Sequence, residues 1–130
     1  MSRITVPVSF GELIDKLTIL EIKSARIEDV DKLGNVRHEL GELGDTWIVA
    51  AAELPDISDA RARLKLINEQ LWDIEDRIRR LESERSFDDE FIALARAVYK
   101  TNDQRSAVKK EINLALGSEL IEEKSYEDYS

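Results

Sequence analysis

A polar stretch interrupts the last apolar seam of the chain, and its residue types are suited to binding an anion. The apolar residues of this seam occupy positions 91, 94 and 98, and then positions 108, 112 and 115. The seam positions between these two groups carry Thr101 and Arg105. Functional sites tend to lie where an otherwise consistent pattern is broken. We call residues 96–110 the polar belt.

Positive charge dominates the polar belt, where Asp103 is the single acid. The basic residues are Arg96, Lys100, Arg105, Lys109 and Lys110. Arginine holds a phosphate or carboxylate through two parallel hydrogen bonds, and lysine binds it as a point charge. The sequence therefore predicts a site for a phosphate, carboxylate or sugar-nucleotide group. The candidate ligand-binding residues are Lys100, Asn102, Arg105 and Lys109.

A structural interpretation of the polar belt stays open beside this one. The helix would leave the core at this point, or acidic neighbours would neutralise the cations. The candidate acids are Glu21 of the first helix and Glu119, Glu122 and Glu123 near the end of the chain. Under this interpretation Arg105 neutralises a buried carboxylate, and its loss destabilises the fold. Belt residues that line a cavity would favour ligand binding, and a solvent-facing belt would favour a scaffold.

Other kinds of chemistry find little support in the residues. His38 is the only histidine, so neither a di-iron bundle nor a histidine-rich zinc site is expected. No glycine-rich phosphate loop and no G-x-S-x-G motif occurs. No acidic residue lies in an apolar stretch of the kind that raises the pKa of a carboxyl group. We therefore predict no catalytic residue, no metal site and no cofactor.

Composition narrows the class of protein. The chain has 130 residues with 42% hydrophobic and 36% charged residues, which favours one domain of long helices. The net charge of −9 argues against binding nucleic acid. The longest apolar run, residues 47–52, is far too short to insert into a membrane. Cysteine is absent, which is compatible with the reducing cytoplasm, where we expect the protein to lie.

Four helices must position the polar belt. Periodicity and end signals place them at residues 10–30, 32–54, 57–85 and 87–116. An extended arm (1–8) precedes them and an acidic tail (118–130) follows, all within a single helical domain, 1–130. The short links require antiparallel neighbours. The predicted fold is all-α, either an antiparallel four-helix bundle or two long helical hairpins with coiled-coil-like seams.

Two seams carry most of this prediction, one in the second helix at positions 33, 36, 40, 43, 47, 50 and 54, and one in the third helix. In the third helix the apolar residues alternate by three and four, the spacing of a helix that lies along a partner. They are Ile57, Ala60, Leu64, Ile67, Leu71, Ile74, Ile78 and Leu81. Leu71, in the middle, is expected to be a core residue. A protruding third and fourth helix with so complete a seam favours a homodimer.

End signals and glycines add local detail. Ser9 and Glu12 form a capping box at the start of the first helix, and Gly117 is a typical residue after the end of the fourth. Ser86 and Asp89 form a second capping signal. Gly34 and Gly41 share a stripe of the second helix, where another backbone would approach closely or where they are simply tolerated at the surface.

Three segments resemble an uncharacterised bacterial family of short helical proteins. They are VPVSFGELIDKLTILEIK at residues 6–23, AVYKTND at 97–103 and EEKSY at 122–126. The likeness covers nearly the whole chain. The family is similar to a domain found beside glycosyltransferases and helical repeats in surface-polysaccharide contexts. The resemblance implies a setting but carries over no functional residue.

Two functions follow as hypotheses. The first is a non-enzymatic interaction or scaffold module, with a protein partner or a second copy, linked through the resemblance to cell-surface polysaccharide biosynthesis. The second is a small ligand-binding or enzymatic accessory that uses the polar belt on a phosphorylated or sugar-nucleotide substrate.

Overall fold

Four α-helices make up the regular secondary structure. The computed structural model describes residues 2–129, and the helices are α1 (Phe10–Arg26), α2 (Val30–Ala51), α3 (Ser58–Ser83) and α4 (Asp89–Leu116). No strand occurs within residues 2–129, so the all-α prediction is confirmed. Of the predicted arm, residues 2–8 are exposed and non-helical, and Met1 lies outside the described residues. Of the predicted tail, Ser130 also lies outside them.

Local capping sets the helix boundaries, and five of the eight predicted ends differ from the observed ones by two to four residues. The first helix ends at Arg26 rather than residue 30, because the Asp29 carboxylate accepts the Lys32 amide hydrogen at 2.9 Å and caps α2. The predicted cap from Ser86 and Asp89 does not form: α4 starts at Asp89 after Asp88, without a side-chain cap. Gly117 has a φ of 64°, the left-handed conformation expected of it.

The chain runs up, down, up and down, with α1 at the centre. α1 packs against all three other helices, α3 and α4 pack against each other, and α2 packs against α1 alone. The antiparallel pairing of α1 and α2 shows in the Lys16–Glu39 ion pair at 3.0 Å. Buried apolar side chains join α1, α3 and α4 in one core. They are Leu13, Ile14, Leu17, Ile57, Ala60, Leu64, Val108, Ile112 and Leu116.

The predicted seam of α3 is buried in its first half only. Ile57, Ala60 and Leu64 lie in the core, whereas Leu71 and the later seam residues are half-buried. The cause is the length of α1, whose last residue, Arg26, ion-pairs with Asp73 at 2.6 Å. α3 continues for ten more residues, so the α3–α4 hairpin extends roughly 15 Å beyond α1 at about 1.5 Å per residue.

Helix α2 is a flanking element. None of its residues is fully buried, although Trp47 packs edge-on against Phe10 with ring centroids 6.5 Å apart. A Cβ at Gly34 or Gly41 would meet no atom within 4 Å, so neither marks a close approach to a described residue. Within residues 2–129, no helix combines the length and the apolar character needed to cross a membrane.

The N-cap of α1 gives a direct test of where this helix begins. Ser9 is 6% exposed, and its hydroxyl oxygen accepts the Glu12 amide hydrogen at 3.1 Å. Replacing Ser9 by alanine should lower the free energy of unfolding by about 1 kcal/mol, the usual cost of a lost N-cap. Urea denaturation measures the loss. Ser125→Ala, at an exposed tail position, is the control, and equal midpoints for the two variants would contradict the cap.

Candidate functional site: a buried ion-pair cluster and the adjoining cleft

Asp15 lies buried at the centre of the molecule. It is 1% exposed and occupies the inner face of α1, between the apolar residues Ile14 and Leu17. A buried carboxylate must be paired and hydrogen-bonded, because the loss of its hydration is otherwise too costly. Sequence analysis, which looked for an acid within an apolar stretch, did not single out Asp15.

Arg105 of α4 supplies the countercharge. Its Nε lies 2.9 Å from Asp15 Oδ1, and its Nη2 donates to Asp15 Oδ2, which makes the pair bidentate. These hydrogen bonds raise the pKa of Arg105 against the opposing effect of its burial. Because Asp15 and Arg105 belong to different helices, the pair fixes the position of α4 along α1.

Asn68 adds a further hydrogen bond to the carboxylate, and Thr18 bonds to Asn68 and to the Asp15 backbone. Asn68 Nδ2 of α3 donates to Asp15 Oδ1 at 2.9 Å and to Thr18 Oγ1 at 3.0 Å. The Thr18 hydroxyl in turn donates to the Asp15 carbonyl oxygen at 2.8 Å. Both residues are buried. Three helices thus meet at one carboxylate, and no buried side-chain nitrogen or oxygen of residues 2–129 lacks a hydrogen-bond partner.

Lys109 is a buried cation of the polar belt, with 6% of its surface exposed. Its Nζ lies 2.8 Å from Glu12 Oε2, 3.2 Å from Glu122 Oε1 and 3.9 Å from Asp15 Oδ2. Burial lowers the pKa of Lys109, but these carboxylates outweigh burial and hold the pKa above its ordinary value. Lys109 therefore stays charged and ties α4 both to α1 and to the tail.

A close approach of two backbones brings α1 and α4 near enough for these contacts. A Cβ on Gly11 would lie 2.4 Å from the Lys109 carbonyl oxygen, so only glycine fits. The Gly11 amide donates to Asn113 Oδ1 at 2.6 Å, and Asn113 is 1% exposed. The glycine that mattered for packing was Gly11, not the pair predicted in α2.

A cleft of about 600 Å³ opens beside this cluster, between α4 and the tail. Its lining residues are Val98, Tyr99, Asn102, Asp103, Arg105, Ser106, Lys109, Lys124, Tyr126, Glu127 and Tyr129. The volume is typical of small-molecule sites, which combine aromatic walls with a few polar groups.

The tail forms the outer wall of the cleft and is held at both ends. Near its start, Lys109 pairs with Glu122, and Lys110 Nζ lies 3.2 Å from Glu123 Oε2. At its end, the Tyr129 hydroxyl donates to Asp103, and the Tyr129 ring meets Tyr99 edge-on at 5.1 Å. Residues 124–127 therefore span the cleft between two anchors.

Three of the four predicted ligand-binding residues line this cleft. Asn102, Arg105 and Lys109 do so, whereas Lys100 is exposed and lies outside it. The cations of Arg105 and Lys109 are already paired with carboxylates. The structure therefore brings three of the four predicted residues together and also gives Arg105 and Lys109 a structural role.

Some of the acids proposed as neutralising partners pair with cations of the polar belt, and others pair elsewhere. Glu122 pairs with Lys109, but Glu21 pairs with Arg61 and Lys65 of α3 at 2.7 and 3.2 Å. Burial raises the pKa of Glu21, and the two cations lower it by more, so it lies below its ordinary value. The partner that sequence reasoning missed was Asp15, and its signal was an acid amid the apolar residues of the most buried helix.

Within residues 2–129, no cluster of histidine or acidic residues is arranged to hold a metal ion.

The fold and this cluster define a class of protein: an all-α bundle in which α1, α3 and α4 are joined at a buried aspartate. The chain belongs to the family of unknown function DUF6165, whose model matches residues 4–129. This confirms the resemblance to an uncharacterised family. No curated protein and no solved structure matches the chain.

Proposed function

We propose that the protein is a non-enzymatic interaction module that presents the α3–α4 hairpin to a partner. The observation that carries this proposal is the extension of the hairpin beyond Arg26, the end of α1. In this region the seam residues Ile74, Ile78 and Leu81 are half-buried although α4 packs beside them. Apolar side chains left in this state gain free energy when a further surface covers them.

A second copy of the chain is the partner we propose first. Ile92, on the extended part of α4, is 54% exposed, and Phe87, in the turn between α3 and α4, is also 54% exposed. An isologous contact would pair the same apolar patch from both copies, which is the commonest symmetry of soluble oligomers. We propose cell-surface polysaccharide biosynthesis as the setting because of the family resemblance. We propose the cytoplasm as the compartment, which is compatible with the absence of cysteine.

Light scattering of the wild type and two matched variants tests this proposal. We expect the wild type to be a dimer at micromolar concentration and Ile92→Asp to be a monomer, because a charge would be buried in the contact. Ile48→Asp is the control, since Ile48 is 68% exposed and lies on α2, away from the hairpin. A monomeric wild type, or dissociation by Ile48→Asp alone, would contradict the proposal.

The cleft supports a second candidate function, that of a small-ligand-binding accessory. The observation in its favour is the convergence of Asn102, Arg105 and three tyrosines on one cavity of about 600 Å³. Arg105 is held rigidly by Asp15, so its exposed edge is already oriented before a ligand arrives. Preorganisation of this kind lowers the entropic cost of binding.

A further inference from the structure

We infer that the cleft binds a neutral, hydroxyl-rich ring compound such as a pyranose sugar, rather than the phosphate-bearing ligand that the polar belt predicts from sequence. This inference rests on the second candidate function and concerns the chemical class of its ligand. Three features of the cleft support it: the charge balance, the aromatic walls and the free hydrogen-bonding groups.

The charge balance disfavours an anion. The cations that line the cleft are Arg105, Lys109 and Lys124, and its own acids are Asp103 and Glu127. Three further carboxylates form ion pairs with Arg105 and Lys109. They are Asp15, Glu12 and Glu122. Acids therefore outnumber bases around the cleft. A phosphate would have to compete with Asp15, which is 1% exposed and cannot be left unpaired without a large penalty.

A cationic ligand would have to displace cations that the cleft already holds, although acids are in excess around it. Arg105 and Lys109 stay charged, because hydrogen bonds to carboxylates raise the pKa of both. The ammonium of Lys124 lies 6.0 Å from the centre of the Tyr126 ring, where a ligand cation would otherwise bind. A ligand without net charge avoids competition with these resident cations and with the carboxylates that they pair with.

The walls of the cleft offer flat apolar surfaces. Tyr99, Tyr126 and Tyr129 are 43%, 74% and 53% exposed, so their rings remain available to a ligand. The face of an aromatic ring carries negative charge density, and the C–H groups of a sugar ring pack favourably against it. Tyr99 and Tyr129 are held in a fixed edge-on arrangement with centroids 5.1 Å apart.

Polar groups with unused bonding capacity lie between these walls. The Asn102 amide makes one long contact, 3.5 Å from its Oδ1 to Arg105 Nη1, and keeps donors for a ligand. The Ser106 hydroxyl and the Glu127 carboxylate, which also line the cleft, have no hydrogen-bond partner within residues 2–129. Donors and acceptors are thus mixed, as the hydroxyl groups of a sugar require, since each both donates and accepts.

A titration by NMR with three probes tests the ligand class. The full chain, labelled with ¹⁵N, is titrated separately with maltose, inorganic phosphate and tetramethylammonium. We expect maltose to shift the amide signals of residues 98–106 and 124–129, and the two ions to leave them unchanged. Asn102→Ala should weaken maltose binding about tenfold, the loss typical of one hydrogen bond. Tyr126→Ala should weaken it as well, and neither change should unfold the chain, since Tyr126 is exposed and Asn102 makes only one long contact.

The control and the contrary outcomes distinguish the ligand-binding function from the inferred class of ligand. Asn35→Ala, at an exposed position of α2, should leave maltose binding unchanged. Binding of phosphate or tetramethylammonium without maltose would overturn the inferred ligand class and leave the ligand-binding function standing. Binding of none of the three probes would overturn both. Maltose shifts that are unaffected by Asn102→Ala and Tyr126→Ala would place the sugar elsewhere and also overturn the inference.

Discussion

Replacing Arg105 by alanine is expected to lower the free energy of unfolding by about 3 kcal/mol. The variant strands the Asp15 carboxylate, whose side chain is 2% exposed, with only Asn68 and the more distant Lys109 to stabilise it. Removing one partner of a buried ion pair costs roughly 3 to 5 kcal/mol. The lower value is expected here because the Arg105 side chain is 30% exposed, so water reaches part of the vacated space.

Thermal and urea denaturation of a matched set measure this loss. Arg96→Ala is the control, because Arg96 is an exposed cation on the same helix without an ion-pair partner within residues 2–129. The double variant Asp15→Ala/Arg105→Ala should lose less than the sum of the two single variants, because it buries no stranded charge. A loss below about 1 kcal/mol for Arg105→Ala would show that Arg105 does not support the fold and would restore it as a free anion-binding group.

Replacing Leu64 by alanine should have the other large effect, about 2 to 5 kcal/mol. Leu64 is 0% exposed and packs in the core where α1, α3 and α4 meet. The seam by itself would assign the largest loss to Leu71. The structure places Leu71 half-buried near the end of α1, where its truncation opens space that solvent already reaches.

Urea midpoints of three leucine variants on α3 decide between these positions. We expect the loss to fall in the order Leu64→Ala, Leu71→Ala and Leu66→Ala, because Leu66 is 57% exposed and serves as the control. A larger loss for Leu71→Ala than for Leu64→Ala would mean that another surface covers the second half of the seam. Dissociation on dilution, measured in the same samples, would then identify that surface as a second copy.

Dependence on protein concentration distinguishes a loss of stability within one chain from the dissociation of a dimer. The losses expected for Arg105→Ala and Leu64→Ala arise within one chain and should not change with concentration. A dimer held by the α3–α4 hairpin would instead make the apparent stability rise with concentration, by mass action. Comparing the wild type at two concentrations therefore tests the proposed partner without any substitution.

Sequence alone determined the elements of this protein because those elements depend on near neighbours. The alternation of apolar residues by three and four placed α3, and the Ser9 cap and Gly117 placed one end each of α1 and α4 within a residue. The boundary between the first two helices was wrong because two local signals competed. At residues 27–31, continued helix formation competed with capping by Asp29, and the cap ended α1 early.

Only the tertiary structure decided which acids pair with the cations of the polar belt. Its composition is equally compatible with an anion site and with a set of structural ion pairs, and the difference lies in which acids face it. Asp15 and Arg105 are ninety residues apart, and they meet because Gly11 allows α1 and α4 to approach closely. The cleft likewise depends on a tail that returns to α4 through Glu122 and Tyr129. Contacts of this kind follow from the packing of whole helices, which residue spacing within one helix does not encode.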